Sequence, residues 1–78
     1  MAKSMPLGFL DVGKEAIVLS IQGGTGLSRK LSEMGFAQGI KVKNVKNDGA
    51  GPLIVAVMDC RIAIGRGMAQ KILIEESA

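Results

Sequence analysis

Leu27-Ser28-Arg29-Lys30-Leu31-Ser32-Glu33-Met34-Gly35-Phe36-Ala37-Gln38-Gly39 spells one helix and its stop signal. Leu27, Leu31 and Met34 recur at the spacing of one helical face, while Arg29, Lys30 and Glu33 fall mainly on the others. Gly35 supplies the left-handed position that commonly follows a last helical turn. The pattern predicts a short α-helix over about Leu27–Met34. Thr25 is the expected N-cap, because its hydroxyl can accept one of the unpaired N–H groups of the first turn.

On either side of this helix the chain reads as strands and turns. Leu7, Leu10 and Val12 lead to a turn at Gly13-Lys14. Ala16–Ile21 then alternates as a strand, with Ile17, Leu19 and Ile21 on one face and Val18 and Ser20 on the other. After the helix, Ile40–Lys46 reads as a strand with Ile40 and Val42 inward, and residues 47–52 (Asn-Asp-Gly-Ala-Gly-Pro) as a hairpin loop. Leu53–Met58 is apolar on both faces, which predicts a central, covered strand. Asp59-Cys60 is the expected tight turn, and Arg61–Ile64 the returning strand, with Ile62 and Ile64 on one face. Residues 65–69 predict a turn or a short helical turn, near Arg66–Gln70, before a last strand at Ile72–Glu75. The reading is a mainly β, five- to six-stranded small barrel with one helix, since closure hides edges that would recruit other chains. Residues 1–4 are expected to form a flexible tail before a single domain over 5–76.

Composition supports this size of core. The chain has 78 residues, which allows one domain. Its hydrophobic fraction is 47%, but Phe9 and Phe36 are its only aromatics, so the core must be aliphatic. Both phenylalanines flank turns and read as plugs. The single cysteine, Cys60, excludes an internal disulfide framework and fits a reducing compartment. Met5–Leu10 is interrupted by Pro6 and Gly8, so no signal-peptide pattern is present. The apolar run Leu53–Met58 is far too short to span a bilayer. The expectation is a cytoplasmic protein that is not membrane-inserted.

Several chemical motifs come close and fail. Gly8…Gly13-Lys14 has P-loop spacing, but Glu15 stands where Ser or Thr should bind magnesium, and a strand follows instead of a helix. Gly24-Thr25-Gly26 lacks the third glycine of a dinucleotide fingerprint, Arg29 occupying its place, and reads as helix entry. With no histidine, one cysteine and scattered carboxylates, no metal-ligand spacing appears. Cys60 has no base to activate it and reads as a half-buried hydrophobe beside a turn. Lys41, Lys43 and Lys46 make a basic strand, yet single-strand binding uses aromatic stacking platforms and the chain has no Trp or Tyr. That lysine run reads as a solvated edge that blocks aggregation. The expectations are no catalytic residue, no metal site, no cofactor, no enzymatic activity and no nucleic-acid partner. The net charge of +3 suits an acidic partner surface.

The order of these pieces resembles the ferrous iron transport protein A family, FeoA. The resemblance rests on Leu7…Leu10…Gly13, Ala16-Ile17-Val18, Gly23-Gly24, the helix and turn of residues 29–39, Pro52 with the strand after it, Arg61-Ile62-Ala63-Ile64, and Ala69…Ile72…Ile74. Gln38, and Gly65-Arg66-Gly67-Met68, depart from the family pattern. The resemblance implies an SH3-like barrel. It also implies an accessory role in bacterial ferrous iron uptake, in which the small protein binds the cytosolic, GTPase-bearing part of the FeoB membrane transporter.

A helix laid over a small barrel leaves a groove, and Met34 and Met68 suit one because methionine is flexible and polarisable. Arg29, Lys30 and Arg66 could steer an acidic partner. These five residues are the candidate partner-binding set, weighed against their being plain core and solvated surface. A second reading makes the chain an activator of the transporter's GTPase, with Arg29 or Arg66 as an arginine finger. A third makes it a metal-responsive or nucleic-acid-binding regulatory domain. The apolar Leu53–Met58 leaves self-association open.

Overall fold

The computed structural model of the chain describes residues 4–77. Six strands, two helices and a 3-10 turn follow one another in this order: β1 (Ser4–Pro6), the 3-10 turn (Leu7–Phe9), β2 (Glu15–Ile21), α1 (Gly24–Glu33), β3 (Lys41–Lys46), β4 (Leu53–Val57), β5 (Cys60–Ile64), α2 (Arg66–Ala69) and β6 (Ile72–Glu76). Ser4 thus belongs to a strand rather than to a tail, paired with Glu75 of β6. The rest of the expected tail lies outside the described residues.

All six strands join one sheet in the order β1-β6-β2-β3-β4-β5, and every pairing is antiparallel. The register shifts between Val18 and Ser20 on β2 and between Asn44 and Lys46 on β3. Such irregularities bend a strand and increase its twist. The sheet curls around one core but its hydrogen bonding does not close, because β1 and β5 remain edges. Side chains tie the turns of this seam instead. Asn47 Nδ2 donates to the Gly8 carbonyl at 3.4 Å, and Arg66 Nη2 donates to Asn47 Oδ1.

Period-two alternation places the core. Ala16 and Val18, Val42 and Asn44, Leu53, Val55 and Val57, and Ile72 and Ile74 all point inward and are buried. On β2 the inward set is Ala16 and Val18, while the larger Ile17 and Leu19 are only half-buried. β4 is covered fully on one face; Ile54 and Ala56 on the other are half-buried. In the 3-10 turn, three residues per turn bring Leu7 and Leu10 to the same side, and both are buried. The same geometry turns Phe9 outward, 72% exposed, so Phe36 alone plugs the core.

α1 begins earlier than its apolar period shows. Gly23 is the N-cap at φ +115°, and Thr25 lies inside the first turn without capping it by its side chain. The helix ends as its sequence predicts. Gly35 takes φ +99° and donates to the Ser32 carbonyl, while Phe36 N–H donates to the Leu31 carbonyl at 2.8 Å. This is the Schellman pattern, completed by burial of both Leu31 and Phe36. Gly35→Ala is expected to lower stability by about 1–2 kcal/mol, the cost of forcing a Cβ into left-handed backbone. Urea unfolding followed by circular dichroism measures it, and an unchanged midpoint would refute it.

The β4–β5 hairpin also departs from expectation. Val57 pairs with Cys60, so the two turn residues are Met58 and Asp59, not Asp59 and Cys60. Met58 adopts φ +57°, the one non-glycine left-handed residue among those described. A two-residue hairpin needs positive φ because only such turns match the strands' twist. Cys60 consequently starts a strand and is exposed, rather than half-buried.

A candidate partner-binding surface

The structure distributes the five candidate residues over two helices. Arg29 and Lys30 stand exposed on the outer side of α1. Arg29 borders a shallow depression with Thr25, Ser28, Ser32 and Glu33. Met34 is the C-cap of α1, and Met68 sits in α2; both pack partly buried against the core. Arg66, also in α2, is half-buried and spends one guanidinium N–H on Asn47. Two of the five are therefore solvated cations, and the other three already have partners within the domain. Of the two arginines considered as a finger, Arg29 is the exposed one.

The motifs set aside in the sequence resolve into backbone structure. Gly13 takes φ +89° and donates to the Asn44 carbonyl at 2.8 Å, while Lys14 N–H donates to the Asp11 carbonyl at 3.1 Å. These donors serve a turn before β2 and are not arrayed toward a phosphate. Gly24-Thr25-Gly26 forms the first turn of α1. Among the described residues, no three His, Cys, Asp or Glu side chains gather in one place. No helix among them is long and apolar enough to cross a membrane.

A second surface emerges that the sequence alone did not reveal. β3 pairs with both β2 and β4, so its lysines do not guard an edge; they stand on the outer face of an interior strand. Val42 and Asn44 take the inward positions, which turns Lys41 and Lys43 outward. Register then aligns Glu15, Lys43, Ala56 and Arg61 in one row across β2, β3, β4 and β5. Lys41 approaches Glu15 at 3.9 Å. Ile40, Lys41, Lys43, Ala56, Met58 and Glu15 border an open groove of about 440 Å³. The alternation Lys41-Val42-Lys43 was visible in the sequence, but its neighbours depend on strand order, which local pattern does not encode.

Comparison with known proteins gives a consistent result. The sequence profile described as the FeoA domain matches residues 5–76. A protein of Methanocaldococcus jannaschii that carries the provisional name Fe(2+) transport protein A is 42% identical over 72 residues. The match spans 92% of this chain and 87% of that one. A crystal structure of an iron uptake regulatory protein (FeoA) superposes with a TM-score of 0.88 at 31% identity, covering 96% of this chain and 99% of the other. The zinc complex of FeoA from Stenotrophomonas maltophilia gives a TM-score of 0.77 at 29% identity, with 95% and 88% covered. That protein is described as a prokaryotic SH3 domain protein, suggested as a ferrous iron transport activating factor.

Proposed function

Because this chain belongs to the FeoA family, we propose that it is a small accessory protein of ferrous iron uptake. It acts in the cytoplasm, where it binds the cytosolic part of an FeoB-type transporter and supports that transporter's activity. The observation that carries this reading is the 42% identity, over 92% of the chain, to a relative named for Fe(2+) transport. The surface chemistry agrees with a binding role. Exposed cations on α1 and on the outer face of β3 favour encounter with an acidic partner surface. Iron, in this reading, is the transporter's cargo and passes without being held by the small protein.

Cells that express the transporter with and without this chain provide the test. Uptake of radiolabelled ferrous iron is expected to fall when the chain is deleted and to recover when it is restored from a plasmid. Equal uptake in all three strains would contradict the proposal.

A further inference from the structure

We infer that the groove on the outer face of β2, β3 and β4 is the docking site for an acidic peptide segment that inserts one apolar side chain beside Met58. The inference deepens the transporter reading and rests on it for the partner's identity.

Met58 is the strongest observation. It is 80% exposed and holds φ +57°, so it is unfavourable twice over. Glycine or asparagine would occupy this hairpin position with less strain. Folding therefore gives no reason for a methionine here, and backbone strain held at an exposed residue points to a role outside the core. The residue is well suited to contact, since its thioether chain adapts to varied apolar shapes.

The groove beside it has a floor and a charge. Ala56 keeps the floor shallow, and Ile40 gives it an apolar border. Its volume of about 440 Å³ is enough for a few side chains. Lys41 and Lys43 stand on its rim, and Arg61 lies in register with Ala56. Glu15 is the carboxylate on this rim, and it sits against Lys41. Two lysines against one carboxylate line the groove, with Arg61 and Asp59 just outside it, and the positive balance of the lining favours an anionic occupant. A second copy of this chain would bring the same cations face to face, which is repulsive. A nucleic-acid strand would find no aromatic side chain among the groove residues on which to stack.

The test uses the full chain labelled with nitrogen-15. One titrant is the purified cytosolic region of the transporter; the other is a synthetic peptide of alternating glutamate and leucine. Both are expected to move the amides of Lys41, Lys43, Ala56 and Met58 saturably, with affinity that falls as salt rises. Met58→Gly is expected to melt at or above the wild-type temperature yet bind at least about tenfold more weakly. The double variant K41E/K43E should lose binding of both titrants while staying folded.

If the cytosolic region binds but moves other amides, or binds Met58→Gly as tightly as wild type, the groove is not the site and the transporter reading survives. If the cytosolic region does not bind at all, the transporter reading fails, and the peptide alone decides the groove. Saturable shifts at the four amides then sustain it, and their absence overturns it. A single-stranded oligonucleotide that saturates the same amides more tightly than the peptide also overturns it.

Discussion

Phe36→Ala is expected to destabilise the domain by about 3–5 kcal/mol, the usual loss when a buried aromatic side chain is truncated. A domain of this length holds about 4–12 kcal/mol of net stability in total. The substitution therefore removes a large share of it, and at physiological temperature much of the chain should be unfolded. Phe36 is completely buried and is the one aromatic inside an otherwise aliphatic core. It also closes the end of α1, through its N–H bond to Leu31 and its burial beside that residue. Phe36 is the largest of the fully buried side chains. Denaturant unfolding measures the loss, and Phe36→Leu should recover most of it. A loss below about 1 kcal/mol would mean that Phe36 does not anchor the core as described.

Asn44 carries the second large effect. It is the buried polar residue of the core, fully enclosed, and its Nδ2 donates to the Leu10 carbonyl at 2.6 Å. Its backbone N–H bonds the Lys14 carbonyl and its own carbonyl accepts from Gly13. One residue thus pins the whole connection between the 3-10 turn and β2. Asn44→Ala leaves the Leu10 carbonyl without a donor and opens a small cavity, for an expected loss of about 2–4 kcal/mol.

Asn44→Asp separates the hydrogen bond from the volume. Ionised, the new carboxyl presents only acceptors to the Leu10 carbonyl, in a buried place. Burial raises its folded-state pKa above the unfolded value of about 3.9. The folded state then holds the proton more tightly than the unfolded state, so stability falls as pH rises through and above that value. The variant should be close to wild type near pH 4, where a protonated carboxyl can donate as the amide does, and much weaker at pH 7. A pH-independent difference between variant and wild type would show that Asn44 acts through shape alone.

Elements with a strong local period could be read directly from the residues. The C-terminal stop of α1 follows from Gly35 and Phe36, and the inward faces of β4 and β6 follow from alternation. The α1 start was less legible, because Gly23, Gly24 and Gly26 have no side chains to contribute to an amphipathic pattern. The β4–β5 turn was displaced by one residue because neither Met58 nor Asp59 is a usual turn glycine. Phe9 is ambiguous in sequence because a hydrophobic side chain beside a turn can face either way; the 3-10 geometry of Leu7 and Leu10 decides that it faces outward.

The candidate surface was hardest to see. Arg66 looks like a surface cation until the fold brings Asn47 within reach, 19 positions away in sequence. Lys41 and Lys43 look like edge protection until β2 and β4 are found on both sides of β3. In each case the deciding contact is long-range. Composition limited the chemistry the chain could perform, but only strand order showed where its cations and exposed methionine meet.

The proposed function requires the domain to present a surface to the cytosolic part of an FeoB-type transporter. Isothermal titration calorimetry of the full chain against the purified cytosolic region of the transporter measures that contact. Saturable heat with one-to-one stoichiometry, weakening as salt is raised, is the predicted result. A flat titration with both proteins at high micromolar concentration and low salt would contradict it.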